Sequence, residues 1–405
     1  ELNGYVTNTL MGVHVYVEGA QHALDNFAKS IEPQSPNISS IEDMQILKVA
    51  PIGAKSFTIE KSEKLSGNEI FISPDLSTCA DCKSDILDES NRRYRYPFTT
   101  CTYCGPRYSI IRDVPYDRSS TVMDEFTMCP ACQSEYDDPN DRRYHSQPNA
   151  CAVCGPKLSL YNTKDKACVQ VGDGDYISLI ADALKRGQIV ALKGLGGYQL
   201  CCDASNSDAL AALRERKHRE AKPFAVMCKD VLAAQNHCHI SPEETELLLS
   251  PHNPIVLMEK RKASTIADNV SSDNDYLGVM LPYTPIHILL MEIVDTLVMT
   301  SANISDMPII SDDEDAKANL ADIADYILMH NRKIHRRVDD SVYKVTNELP
   351  QAIRRARGYA PGIVKADKLK TPILAVGAEL KNTFAVSRGS NIFVSPHIGD
   401  LKYAQ

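Results

Sequence analysis

A chain of 405 residues is two to three times the usual domain length, and its 43% apolar and 24% charged residues exclude a collagen-like or largely disordered protein. With 44 basic against 53 acidic residues the net charge is -9, which disfavours a nucleic-acid binder that draws its affinity from Lys and Arg. The most apolar stretch, residues 277–299, contains Pro282, Pro285, His287, Glu292 and Asp295, so no membrane span is expected, and no signal peptide is visible at Glu1.

Residues 13–17 alternate as a strand, and residues 20–31 have helical spacing through Leu24, Phe27 and Ile31. Further short strands are expected near residues 44–49 and 56–60, and residues 61–69 read as a linker. A repeat with a period of 50 residues follows: Cys79, Cys82, Cys101 and Cys104 recur as Cys129, Cys132, Cys151 and Cys154. Arg92-Arg93-Tyr94 is echoed by Arg142-Arg143-Tyr144, and Cys104-Gly105-Pro106 by Cys154-Gly155-Pro156. Beyond Gly174 helix and strand signals alternate. Helices are expected at 177–185, 208–217 and 241–249, and strands at 189–192, 224–227, 255–258, 296–300, 326–329 and 342–345. Residues 193–197, Lys-Gly-Leu-Gly-Gly, read as a turn. Three strand signals at 373–376, 383–387 and 392–395 open a further domain.

Two Cys-x-x-Cys turns separated by 18 residues suit a tetrahedral four-sulfur zinc site, because each turn brings two sulfurs to one ion. Pairing within each repeat is preferred over interleaved pairing. Redox pairs and disulfides are the competing readings, and neither accounts for the duplication. Four sulfurs leave no open coordination position, so two structural Zn2+ sites are expected. Cys168, Cys201, Cys202, Cys228 and Cys238 read as ordinary buried thiols.

Residues 214–223 concentrate five basic against two acidic side chains at a helix end, which alone is a solvated face. Thr300-Ser301-Ala302-Asn303 follows an apolar strand and places hydroxyl and amide groups at a strand's carboxyl end, where α/β sheets bind ligands. Together they form a candidate phosphate site. The sequence lacks Gly-x-x-x-x-Gly-Lys-Ser/Thr, which excludes a P-loop.

These residues resemble the HypF family of hydrogenase maturation factors, carbamoyltransferases that act in making the cyanide ligands of nickel-iron hydrogenases. The duplicated finger resembles the paired HypF-type zinc finger. Residues 176–365 resemble a YrdC-like domain through the turn at 193–198, through 213–227, 278–285, 300–303 and 330–332, and through 337–342 and 354–359. The resemblance implies a multidomain α/β and α+β protein. Residues 1–65 would be a partial ferredoxin-like acylphosphatase unit and 66–165 a duplicated four-cysteine zinc-finger domain. Residues 166–365 would be a YrdC-like α/β ATP-binding domain, and 366–405 the start of a sugar-kinase-like transferase domain.

It further implies that Lys217, Arg219, Ser301 and Asn303 bind ATP, with Mg2+ bridging its phosphates, and form carbamoyl adenylate from carbamate released from carbamoyl phosphate. Lys193, Arg337 and one of Arg354, Arg355 or Arg357 would add phosphate contacts, structural ion pairs being the alternative. Asn8 matches the water-orienting residue of acylphosphatases. The glycine-rich loop whose Arg holds phosphate is absent from this sequence, so that unit is expected to be inactive. The transferase histidine cluster would lie beyond Gln405. The implied partner is HypE, whose C-terminal cysteine accepts the carbamoyl group, and the implied compartment is the cytoplasm. Two rival readings remain: threonylcarbamoyl-adenylate synthesis for tRNA modification, and a non-enzymatic zinc-dependent protein-docking or RNA-binding module. The finger segment is read as a rigid spacer, with a docking surface as the alternative.

Overall fold

The computed structural model describes residues 2–9, 12–35, 41, 43–60, 72–171, 175–303, 307–367, 369, 371–379 and 382–399. The expected linker at 61–69 lies outside them. The chain divides into two compact units, Glu1–Phe71 and Ile72–Gln405.

In the first unit, β1 (Asn3–Thr9) pairs antiparallel with β2 (Gly12–Glu18), and α1 (Gln21–Ser30) leads back towards β3 (Phe57–Ile59), which lies parallel to β1. The sheet order is β2-β1-β3. The strand expected at 44–49 does not form, and Ile46, Leu47 and Val49 are exposed. Both edges of β1 are occupied, and the following segment is held by side chains instead. Glu18 Oε1 accepts from Ile52 N at 2.5 Å and from Gly53 N at 2.9 Å.

The second unit opens on the duplicated segment. Two eight-residue helices, α2 (Ala80–Leu87) and α3 (Pro130–Asp137), start immediately after Cys79 and Cys129. The repeat extends to the backbone, since Arg95 and His145 share a positive φ of 54° and 52°. β4 (Leu158–Asn162), at the end of the second repeat, turns into β5 (Ala167–Val169), and this hairpin forms one edge of a large mixed sheet.

That sheet has the order β14-β13-β9-β10-β8-β11-β7-β6-β12-β4-β5 among the described residues. Its remaining strands are β6 (Val190–Lys193), β7 (Tyr198–Asp203), β8 (Ala225–Cys228), β9 (Ile255–Glu259) and β10 (Tyr276–Met280). They continue with β11 (Thr296–Ser301), β12 (Tyr326–His330), β13 (Val342–Thr346) and β14 (Leu349–Arg354). The pairs β8/β10, β6/β12 and β9/β13 are parallel. All four residues of β6 are buried, as in a strand covered on both faces, with the terminal Lys193 ion-paired to Asp313. Helices α4 (Tyr176–Lys185), α5 (Ser207–Arg216), α6 (Val231–Gln235), α7 (Pro242–Leu249), α8 (Pro285–Met291) and α9 (Asp313–Asn319) connect these strands.

Capping explains several boundaries. Ser241 and Glu244 close a capping box on α7, and Asp175, Asn206 and Asp312 cap α4, α5 and α9. The apolar stretch 277–299 is core: Ile286 to Met291 are all buried in α8. No helix among the described residues is long and apolar enough to cross a membrane. A four-stranded antiparallel sheet of order β15-β18-β17-β16 ends the unit. Its strands are β15 (Ile363–Lys365), β16 (Leu374–Val376), β17 (Phe384–Arg388) and β18 (Asn391–Val394).

Candidate functional site

The eight repeated cysteines gather into two groups, Cys79, Cys82, Cys101 and Cys104, and Cys129, Cys132, Cys151 and Cys154, with the sulfurs of each group all within 4.8 Å of one another. In the first group Sγ–Sγ separations are 3.6 Å for Cys79–Cys101 and 3.8 Å for Cys101–Cys104. In the second they are 3.7 Å for Cys129–Cys151, 3.8 Å for Cys151–Cys154 and 3.6 Å for Cys132–Cys154. A tetrahedron of metal–sulfur bonds of about 2.3 Å has edges of about 3.8 Å, whereas a disulfide needs about 2.05 Å. The donor set therefore fits one Zn2+ per repeat, with the ion serving the fold. Of the other cysteines, Cys201, Cys202, Cys228 and Cys238 are buried, but Cys168 is exposed because it lies on the edge strand β5.

The repeats exchange arginines. Arg92 Nη2 donates to Cys132 Sγ at 3.3 Å, while Arg93 pairs with Glu135 at 2.5 Å and donates to Asn149 Oδ1 and Ala150 O. In return Arg142 Nη1 donates to Cys82 Sγ at 3.0 Å, and Arg142 and Arg143 both pair with Asp85. Arg143 Nε also donates to Thr100 O. Burial would raise the Glu135 carboxyl, yet Arg93 and Arg92 hold it down at about 2. Each four-thiolate cluster is thus faced by cations carried on the other repeat, the charge compensation that a Zn2+ with four thiolates requires.

The second constellation lies at the carboxyl end of β11. Lys217 Nζ, only 5% exposed, donates to Ser301 O at 2.9 Å, Asn303 O at 2.8 Å and Asn303 Oδ1 at 2.8 Å. Ser301 Oγ donates to the same Asn303 Oδ1 at 3.0 Å, and Asn303 Nδ2 donates to Met307 O. Arg219 Nη1 donates to Thr300 Oγ1 at 3.1 Å, with its guanidinium 4.7 Å from the Phe224 ring centre. The structure thus brings Lys217, Arg219, Ser301 and Asn303 together. Burial, then the charges of Arg219 and Lys222, bring Lys217 down to about 7, and burial with Arg214 and Arg354 nearby brings Arg219 to about 10. Three oxygens around Lys217 Nζ match the three donors of an ammonium, so an arriving anion meets a cation held at the edge of its proton affinity.

The Lys-x-Arg spacing has a backbone cause. Lys217 is the C-cap of α5, and His218 takes the left-handed φ of 50° that ends the helix. His218 N donates to Glu215 O and Arg219 N to Arg214 O, the paired bonds of a Schellman turn. Arg214 then ties the loop by donating to Arg219 O, Glu220 O and Lys222 O. Nothing in the sequence marks this cap, because its left-handed residue is His and not Gly.

The turn 194–197 brings a further lysine alongside. A Cβ on Gly196 would stand 2.3 Å from Val338 O, and one on Gly197 would stand 2.6 Å from Ile309 Cδ1, so both glycines permit close approach. Lys193 Nζ is spent on Asp313 Oδ1 at 2.5 Å and His330 O at 3.0 Å, and Tyr198 OH donates to the same Asp313 Oδ1. Arg337 is exposed beside that turn, where Val338 N donates to Gly196 O. Arg355 donates to Tyr359 O and Gly362 O, and Arg357, 1% exposed, donates to Asp340 at 2.7 Å and to His252 O and Asn253 O. Arg354, half-buried, is the member of the three whose charge acts on Arg219. Asp313, Tyr198 and Asp340 were not foreseen. Asn8 lies on β1 opposite Val13, and its side chain is outside the described residues.

Family models match the chain in order: Acylphosphatase over residues 1–59, the HypF finger over 78–111 and 128–161, telomere recombination (Sua5, YciO and YrdC) over 182–356, and the HypF Kae1-like domain over 368–405. The chain is 43% identical over 405 residues to the carbamoyltransferase HypF of Synechocystis sp., covering 100% of this chain and 52% of that protein. A crystal structure of full-length HypF in the phosphate- and nucleotide-bound form superposes with a TM-score of 0.91 at 46% identity, over 99% of this chain and 52% of that one. The HypF structure from T. kodakarensis gives 0.86 at 39% identity, over 100% and 52%. The chain spans about half the length of the curated relatives it matches.

Proposed function

Because the chain belongs to the HypF family, we propose that it carries the site at which ATP and carbamate become carbamoyl adenylate and pyrophosphate. The observation that carries this reading is the convergence of Lys217, Arg219, Ser301 and Asn303 at one strand end, with a buried ammonium and a guanidinium directed at hydroxyl and amide groups. In this reading MgATP is the substrate. A carbamate oxygen attacks the α-phosphorus, a new O–P bond forms, and the bond to the β-phosphate oxygen breaks with its electron pair leaving on pyrophosphate. No side-chain nucleophile is needed: positioning and charge stabilisation suffice. Lys217 and Arg219 would offset the charge that develops on the α-phosphate and the leaving group. Ser301 and Asn303 would hold the acyl group, and Arg337 and Arg354 would meet the outer phosphates. Lys193 joins only by giving up Asp313. The carbamate would derive from carbamoyl phosphate, and the carbamoyl group would pass to the C-terminal cysteine of HypE. Thirteen cysteines without a disulfide, eight of them grouped as metal ligands, support a reducing, cytoplasmic setting.

The test is pyrophosphate release by the zinc-loaded chain with MgATP and ammonium bicarbonate, which equilibrates with carbamate. Carbamate-dependent release supports the reading. Release that requires threonine with bicarbonate would transfer the site to threonylcarbamoyl-adenylate synthesis, and no release with any of these substrates would leave a binding module.

A pH dependence follows from Lys217. Its proton is lost in the free protein as pH rises through about 7, and a bound phosphate requires the ammonium. MgATP affinity should therefore fall with rising pH, approaching tenfold per pH unit between pH 7.5 and 9. Isothermal titration across that range should also register uptake of close to one proton. A flat profile would contradict the role given to Lys217.

A further inference from the structure

We propose that a small cavity between the first finger repeat and the large sheet is a binding site for a planar oxyanion of the carboxylate class, such as bicarbonate or carbamate, anchored on Arg332. The cavity is about 20 Å³ and is lined by Phe98, Thr99, Gly194, Tyr283, Thr284 and Arg332 among others. None of Lys217, Arg219, Ser301 or Asn303 lines it.

Arg332 is 8% exposed, and its guanidinium stands 5.2 Å from the Phe98 ring centre. It has no hydrogen-bond acceptor and no ion-pair partner among the described residues. A charge buried without a partner is costly, and a guanidinium does not give up its proton to escape that cost. The nearby carboxylate, Asp75, is 1% exposed and already accepts from Arg107 N at 2.7 Å and Ser109 Oγ at 2.8 Å. Behind the lining, Gln199 and His287 touch Tyr283 and His330 touches Phe98, and Gln199 Oε1, His330 Nδ1 and both ring nitrogens of His287 are buried without a hydrogen-bond partner, although none of these three residues lines the cavity itself. Thr284 Oγ1 accepts from His287 N, which leaves its own proton to donate.

The geometry selects the ligand. The planar fork of an arginine suits two oxygens of a planar anion, and the aromatic face of Phe98 shields one side of the pair. A volume of about 20 Å³ is room for about one water, so the cavity favours the smallest anions, and an ion of three or four heavy atoms enters by displacing its lining slightly. Gly194 ties the cavity to the turn that follows Lys193. The proposal rests on the adenylation reading only for naming carbamate. Binding of bicarbonate can be tested without any nucleotide.

The experiment is thermal unfolding and 13C line broadening of labelled bicarbonate with the zinc-loaded chain, its Arg332→Met and Arg332→Lys variants, and Lys217→Met as a control. Saturable stabilisation by bicarbonate and by formate, but not by chloride, is expected in the unaltered chain and in Lys217→Met. Arg332→Met should lose it, and Arg332→Lys, which keeps the charge without the fork, should weaken it at least tenfold at unchanged zinc content. Should Arg332→Met fail to fold, the lysine variant decides alone. Bicarbonate binding that survives in the Arg332 variants, disappears in Lys217→Met, or is missing from the unaltered chain would overturn the proposal.

Discussion

Serine in place of Cys132 is expected to empty both zinc sites, not one. The zinc contribution to folding in such four-cysteine sites is about 10 to 16 kcal/mol, as large as the whole stability of an ordinary domain. Loss of one thiolate removes most of that locally. The coupling to the other repeat comes from the exchanged arginines: Cys132 is fully buried and receives Arg92, and Arg93, 2% exposed, is held by Glu135 and Asn149. When the second repeat opens, both cations of the first repeat lose their partners, and for the buried Arg93, unlike the one-third-exposed Arg92, breaking such a pair costs about 3 to 5 kcal/mol. Metal analysis and limited proteolysis should show zinc falling towards zero and cleavage in both repeats. Replacing Arg142 and Arg143 together by alanine should act in the reverse direction, loosening the Cys79 to Cys104 cluster first. A stable species with one zinc and a protected first repeat would refute the coupling.

The second large effect is expected from Lys217→Met. Methionine nearly preserves the buried stem but removes the ammonium that meets Ser301 O, Asn303 O and Asn303 Oδ1. A charge aimed at a developing oxyanion in a site shielded from water contributes about 10²- to 10³-fold to rate. The variant should fold with two zincs, because the eight cysteines and the exchanged arginines are untouched, and should lose the proposed adenylate formation by at least that factor. Asn303→Ala should lose less, since Lys217 keeps its two carbonyl acceptors.

Much of this was legible in the sequence, for identifiable reasons. The cysteine clusters were, because a period of 50 residues leaves one economical pairing. The partners of Lys217 were legible only through the resemblance, since residues 217 and 301–303 are far apart in the chain and no local pattern joins them. The Schellman turn at His218 was hidden by the lack of a glycine, and the exchanged arginines by the fact that Arg92-Arg93 and Arg142-Arg143 read equally well as surface charge. β14 was missed because Leu349–Arg354 is an edge strand with a proline and mostly exposed side chains. The strand expected at 44–49 failed in the other direction: its apolar residues alternate imperfectly, and Ile46, Leu47 and Val49 stay exposed with no face to bury.

The most direct measurement of the proposed adenylation site is isotope exchange between labelled pyrophosphate and ATP, which proceeds only if the adenylate forms reversibly. The site described here predicts exchange that depends on carbamate in the unaltered chain and is lost in Lys217→Met at full zinc occupancy. Exchange at an unchanged rate in Lys217→Met would contradict it and move the chemistry elsewhere in the protein.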